Sequence, residues 1–193
     1  MSGVNRQSEE FFEARYRSST DPWHFASSRY ELNRYRATIN ALARSSYRRA
    51  FEPGCSVGVL TAALAQVAKQ VIACDISETA VNAAKQRCLG LHHVEIYRCD
   101  LSASPPAGQF DLMVFSELGY YFRADHLGRL ARHMGERLEP GGEFVAVHWL
   151  GMSPDHVLHG DEVHQVLGET LPFEHIGGSR HGGFRIDSWR RLP

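Results

Sequence analysis

The chain has 193 residues, 43% hydrophobic and 22% charged, with a net charge of −1. That length and apolar content suit one globular domain with a sizeable core, and the near-zero charge removes any bulk electrostatic case for nucleic acid or an anionic membrane as partner. No apolar run is long enough to span a bilayer, and the opening MSGVNRQSEEFFEARYRSS lacks the apolar core of a signal peptide, so a cytoplasmic location is expected.

Residues 1–49 are polar, aromatic and Arg-rich, and predict a helix over 5–18, a loop over 19–26 around Asp21-Pro22, and a helix over 28–45. This is either a packing appendage or a lid over a site. Ala50-Phe51-Glu52 is a short apolar strand that ends in a carboxylate. Pro53 to Gly58 is a small-residue turn, Val59 to Ala68 an Ala-rich helix, and Val71 to Cys74 a buried-type strand stopping at Asp75. Ser77 is placed to cap a helix reaching about Leu89. A strand over 94–99 stops at Asp100, and Pro105-Pro106 and Gly108 mark a loop.

Phe110 to Phe115 is a nearly continuous apolar strand followed by Ser116-Glu117. A helix over 126–138 stops at Glu139-Pro140-Gly141-Gly142, and Glu143 to Trp149 is the next strand. The tail predicts a helix near 161–169 and strands near 173–178 and 184–191. Alternating strands and helices predict an α/β, doubly wound parallel sheet, and the last two strands, with no helix between them, an antiparallel hairpin at one edge. No repeat or linker divides the chain, so 1–193 reads as one domain, a helical cap over 1–49 and a core over 50–193. Cys55, Cys74, Cys88 and Cys99 form no CxxC pair and read as small buried thiols rather than disulfides or metal ligands.

The stretch Ala50–Asp75 is strand, glycine turn, helix, strand and acid, the opening of a nucleotide-type βαβ fold. Glycine there lets a ligand approach bare backbone. Each landmark also has a plain structural reading: Gly54 and Gly58 as tight-turn residues, Asp75 as a helix cap, Asp100 as a turn residue. Their shared place at successive strand ends, where open parallel sheets bind ligands, favours a site. The run Glu52-Pro53-Gly54-Cys55-Ser56-Val57-Gly58 lacks the Gly-x-Gly-x-x-Gly spacing of a dinucleotide fold, which argues against an NAD-type oxidoreductase even though Asp75 would suit a ribose.

That run resembles the Glu/Asp-x-Gly-x-Gly-x-Gly turn of class I S-adenosylmethionine-dependent methyltransferases, with Ser56 in place of the middle glycine. The resemblance implies a Rossmann-like seven-stranded, mostly parallel sheet and S-adenosyl-L-methionine as cofactor, with S-adenosyl-L-homocysteine as product. It implies that Glu52, Gly54 and Gly58 meet the methionine part and that Asp75 accepts from the ribose hydroxyls. Ile76 would pack on the adenine face, and Asp100 and the Leu101 backbone would bond its edge. Ser116 and Glu117 would lie beside the methyl group and its acceptor. Leu138 to Gly142 is similar to the family's turn before its fifth strand. A narrower resemblance, carried by Trp23-His24-Phe25, by His159-Gly160-Asp161-Glu162-Val163-His164 and by Phe184-Arg185-Ile186-Asp187-Ser188-Trp189, is to the NodS group, which includes nodulation N-methyltransferases acting on the free amine of a de-N-acetylated chitooligosaccharide.

Methyl transfer from a sulfonium is an in-line displacement, so acceptor, methyl and sulfur must be aligned and a proton removed. Glu117 is the first candidate base, with His148 second. Tyr120, Tyr121 and Trp149 are candidate walls of a small-molecule acceptor pocket, Tyr120 and Tyr121 serving equally as helix-start packing. His156, His159 and His164, with Asp161, are candidates for acceptor binding or base work; a polar surface with Asp161 capping a helix is the alternative, and no metal is assigned to them. In the cap, Trp23 would cover the cofactor while Tyr30 and Arg34 reach its carboxylate, unless Arg34 lies on a solvated helix face. An amine acceptor is preferred, an oxygen acceptor comes next, and a non-catalytic cofactor-binding protein is the remaining alternative.

Overall fold

A computed structural model of the chain describes residues 9–102 and 107–193. The start of the predicted first helix, residues 5–8, and the Pro105-Pro106 loop signal lie outside the described residues. Two helices come first, α1 (Glu9–Ser18) and α2 (Arg29–Asn40). The core then runs β1 (Ala50–Pro53), α3 (Val59–Leu64), β2 (Val71–Asp75), α4 (Glu78–Arg87), β3 (Val94–Arg98), β4 (Phe110–Ser116), α5 (Ala124–Glu136), β5 (Leu138–Trp149), α6 (Gly160–Thr170), β6 (Glu174–Arg180) and β7 (Phe184–Arg190), with a 3₁₀ turn at Gly119–Tyr121 between β4 and α5.

The seven strands form one sheet in the order β3-β2-β1-β4-β5-β7-β6. All neighbouring pairs from β3 to β5 are parallel, and β7 runs antiparallel to both β5 and β6. The chain order reverses between β1 and β4, so a crevice opens beyond the carboxyl ends of these strands. The Rossmann-like sheet and its terminal hairpin are as expected.

The central parallel strands β1, β2 and β4 are buried on both faces, whereas the edge strand β6 is exposed. Along β4, Met113 and Phe115 face a core with Phe51, Leu127, Phe144 and Leu167, while Leu112 and Val114 face another with Leu60, Leu64, Val145 and Val147. This period-two division explains why FDLMVF has no polar alternation. Burying each such side chain contributes about 1.5–3 kcal/mol. Ser77 caps α4 as predicted, its hydroxyl accepting from Ala80 N.

Four boundaries differ from expectation. Helices α2 and α3 end at Asn40 and Leu64 rather than 45 and 68, because Tyr47 N donates to Val67 O and Lys69 N to Tyr47 O, which bridges the two segments. Strand β5 begins at Leu138 rather than 143. Phe110 pairs with Leu138 and Leu112 with Glu143, so the Glu139–Gly142 turn is a bulge inside the strand. The cap of α6 is His159, whose Nδ1 accepts from Asp161 N while Glu162 accepts from His159 N. Asp161 is therefore not the cap; it binds Arg180 and Arg185 instead.

Gly58 precedes α3 with φ +78°, and a Cβ there would lie 2.9 Å from Ala84 of α4. Both the dihedral and the backbone contact forbid a side chain. Gly58→Ala is expected to lower unfolding stability by about 1–3 kcal/mol, measured by denaturant titration.

Candidate functional site

The crevice at the strand-order reversal is a cleft of about 770 Å³ counted to its open mouth, floored by the β1, β2, β3 and β4 ends and roofed by α1 and the loop after it. The β1 turn supplies backbone. Gly54 has φ +71°, and a Cβ there would come within 3.1 Å of Leu118. Ser56 stands at φ +49° where the family turn carries glycine, and it tolerates this because its N–H donates to Asp75 Oδ2 at 2.9 Å. Asp75 also accepts from Ser77 N on Oδ1, at 3.0 Å. Each carboxylate oxygen thus keeps acceptor capacity for one further hydroxyl, which suits a vicinal diol. Burial pushes the Asp75 carboxyl up to about 6, against the pull of these N–H groups. Ile76, Asp100 and Leu101 line the next part of the cleft, with Cys99 and Phe122 beside them. Asp100 also accepts from Ser102 N.

The roof is tied down. Glu13 accepts from the Ser77 hydroxyl at 2.6 Å and from the Thr79 hydroxyl at 2.7 Å, so α1 is latched to the start of α4. Those donors hold its carboxyl down at about 2. The Tyr16 hydroxyl donates to Ser56 Oγ at 2.6 Å. Phe12 packs edge-on against Tyr121, and Trp23 stacks on Phe25, all four in the cleft wall. Residues 9–26 are thus a lid in contact with the site, rather than an appendage.

A smaller recess adjoins the cleft between Gly54 and Ser116, with Arg34, Glu52 and Glu117 in its lining. Arg34 is 1% exposed, so it does not lie on a solvated face. It contacts Glu31, and its Nη1 lies 2.7 Å from Glu117 Oε2, yet no guanidinium nitrogen makes a well-directed hydrogen bond. A buried fork with donors to spare fits a carboxylate ligand. Glu52 accepts from the Thr61 hydroxyl at 2.6 Å, and burial raises its carboxyl to about 8. These residues suit S-adenosylmethionine: Asp75 would take the ribose hydroxyls, Ile76 and Leu101 would border the adenine, and the Arg34 recess would receive the amino-acid end.

Glu117 is held at φ +56°, where β4 turns into the 3₁₀ segment. Its Oε1 accepts from Trp149 N at 2.6 Å, and its Oε2 from the Tyr120 hydroxyl at 2.7 Å, beside Arg34. Both carboxylate oxygens are thus engaged by neighbours, and the side chain is fixed in direction. Its placement suits orienting an acceptor.

Several predicted residues lie elsewhere. Tyr30 packs on Phe184 and outside the cleft. Gly58 faces α4. His148 is 0% exposed and accepts from Gly119 N at 3.0 Å, so it cannot reach an acceptor proton. His164, 2% exposed, lies behind it. His159 caps α6 and its Nε2 lies 2.9 Å from Leu150 O. Tyr120 is buried on Glu117, with the His156 ring stacked over it at 3.7 Å. Trp149 contributes its backbone N–H. Tyr121 lines the cleft as expected. The recurring cap aromatics Phe12, Tyr16, Trp23 and Phe25, which in sequence pointed to a lid, line the cleft, whereas Glu13, Leu118 and Phe122 carried no sequence signal.

This sheet, with acids at successive strand ends and a glycine turn, has the fold of class I S-adenosylmethionine-dependent methyltransferases. The chain belongs to the NodS family, described as Nodulation protein S, which matches residues 7–146. Nodulation protein S of Bradyrhizobium diazoefficiens is 30% identical over 104 residues, 53% of this chain and 50% of that one. Magnesium-protoporphyrin O-methyltransferase of Rhodobacter capsulatus is 29% identical over 141 residues, 64% of this chain and 63% of that one. The chain thus spans half the length of the first relative and under two thirds of the second. In structure, the N-methyltransferase NodS from Bradyrhizobium japonicum WM9, in complex with S-adenosyl-L-homocysteine, superposes with a TM-score of 0.83 at 22% identity, covering 98% of this chain and 99% of that one. At that identity the likeness shows the shared fold.

Two outcomes follow from this geometry. Asp75→Ala is expected to weaken S-adenosylhomocysteine binding by about 1–3 kcal/mol in calorimetry, since two charge-assisted hydrogen bonds are lost. Glu52 in the folded chain holds its proton up to about pH 8, whereas in the unfolded chain it ionises near its ordinary value of 4.5. The unfolded state therefore binds fewer protons between these limits, and stability falls as pH rises through them. Glu31 and Asp75, raised to about 7 and about 6, act the same way lower in the window. Above pH 7 the decline belongs chiefly to Glu52, so Glu52→Gln should flatten the melting temperature of the unliganded protein between pH 7 and 8.

Proposed function

We propose that the protein transfers a methyl group from S-adenosylmethionine to the amine of a small acceptor, with an amino-sugar amine as the preferred class. The observation that carries this reading is the Glu117 carboxylate, which lines the cleft between the Asp75 end and the Arg34 recess. An acidic group beside the point of transfer attracts and orients an amine. Tyr121, Phe12 and Phe25 supply apolar walls that suit a sugar ring.

The cofactor supplies an electrophilic methyl on a sulfonium. The chain's own residues position the reactants. Asp75 and Arg34 hold the two ends of the donor, and the latched lid excludes water. Glu117 accepts an N–H of the acceptor on its remaining acceptor capacity and so aims the nitrogen lone pair. Transfer would form N–CH₃ as S–CH₃ breaks, and the methylammonium product would give up its extra proton to solvent once it leaves the site. The similarity to an O-methyltransferase over 64% of the chain supports a second reading, an oxygen acceptor on the same surface.

Incubation with labelled S-adenosylmethionine and a panel of glucosamine oligomers, alkylamines, phenols and carboxylic acids tests the choice. Methylation of amines alone is expected; product only on oxygen would reverse the order of the two readings, and no product with any acceptor would reject both. Glu117→Gln is expected to lower kcat/KM for the acceptor about 10–100-fold, the worth of a hydrogen bond to a charged group. Full activity in that variant would remove Glu117 from the acceptor site.

A further inference from the structure

The two tail motifs, His159–His164 and Phe184–Trp189, meet in the interior. There they build a hydrogen-bonded chain that ends on the acceptor side of the cleft. His148 Nε2 accepts from Gly119 N at 3.0 Å. On its other side, His148 Nδ1 lies 3.2 Å from His164 Nε2, and His164 Nδ1 lies 2.7 Å from Asp187 Oδ2. Asp187 is buried and also faces Arg185 Nε at 2.6 Å and His175 Nε2 at 3.0 Å.

Donor and acceptor logic allows one arrangement of protons for neutral rings. A backbone N–H can only donate, so His148 Nε2 is bare and its proton sits on Nδ1. That proton is donated to His164 Nε2, which must be bare as well, so the His164 proton sits on Nδ1 and points at the carboxylate. Burial keeps both imidazoles below their ordinary range and therefore neutral. Both rings are thus held in the Nδ1–H tautomer, fixed by the Gly119 N–H at one end and by Asp187 at the other.

Gly119 opens the 3₁₀ segment and has no room to move. A Cβ there would collide with Val163 and come within 2.9 Å of His148 Nε2. The next residue, Tyr120, donates its hydroxyl to Glu117, and its carbonyl accepts from Val157 N at 2.7 Å. The position of Gly119 therefore sets both Glu117 and the loop over residues 151–158.

We propose that Asp187, His164 and His148 form a tautomer-locked positioning chain for the acceptor side of the site, holding the Gly119–Tyr121 turn so that Glu117 is correctly aimed. These three residues touch neither donor nor acceptor. The catalytic part of the proposal rests on the methyltransferase reading; the tautomer part stands by itself.

The test combines nitrogen-15 spectroscopy of the histidines with kinetics. In the wild-type protein both His148 and His164 are expected to show a protonated Nδ1 and a bare Nε2; an Nε2–H signal from either ring overturns the chain. Asp187→Ala removes the acceptor. It should release His164 from that tautomer, speed amide exchange at Gly119 at least tenfold, and lower kcat/KM for the acceptor at least tenfold, with S-adenosylhomocysteine affinity within threefold. Asp187→Asn keeps an oxygen for the His164 Nδ1–H and should restore all three readouts to within about threefold of wild type. A merely structural role predicts loss of melting temperature with no tautomer change and no split between acceptor and cofactor, and that result would reject the positioning role. If Asp187→Ala does not fold, the wild-type tautomers and the activity of Asp187→Asn decide. If no acceptor is methylated at all, the functional reading fails, while the tautomer and Gly119 exchange measurements still decide the chain.

Discussion

Carboxylates buried at one edge of a sheet must find donors nearby, and most of the site follows from that requirement. Glu31, Glu52, Asp75 and Glu117 gather at the carboxyl edge, all largely removed from solvent. The charge of Arg34 lies between Glu31 and Glu117; Glu117 also accepts from the Tyr120 hydroxyl and Trp149 N, Glu52 from the Thr61 hydroxyl, and Asp75 from backbone N–H groups. Burial outweighs these partners at Asp75 and Glu52, whose carboxyls sit well above the ordinary carboxylate range.

The same requirement explains the lid. Glu13 brings one further carboxylate to the start of α4, where the Ser77 and Thr79 hydroxyls and a backbone N–H meet it. The free donors at a helix N-terminus favour an anion there. Helix α1 is thereby fixed across the cleft with Phe12 and Tyr16 on its inner side. Cofactor grip and lid closure share Ser56, which bonds Asp75 through its N–H and receives the Tyr16 hydroxyl on its side chain. A glycine in that place would make the first contact and not the second, which gives the departure from the family turn a physical purpose.

The tail has a different part from the one its histidines suggest. An imidazole in a surface loop can bind substrate; an imidazole 0–2% exposed is an internal connector. His148 and His164 join the edge hairpin to the turn after β4. The antiparallel β7 therefore does more than close the sheet, because its Asp187 lies behind the acceptor side.

Order along the chain was enough for the sheet, the small-residue turn and the acids at the β2 and β3 ends, because these depend on local patterns, and Asp75, Ile76, Asp100 and Leu101 do line the cleft. It also carried the membership of the NodS family. The roles of Glu117, His148, His159 and His164 were not legible, and neither was the pairing of Glu13 with α4. Each depends on what stands across the fold, from Trp149 N beside Glu117 to Asp187 behind His164, partners 23 to 66 residues apart. A side chain's tendency to hold or release a proton is set by burial and by partners. The sequence by itself therefore determined the sheet edge where the cleft opens, while only the tertiary structure decided which of its acids and imidazoles line that cleft and which hold the wall behind it.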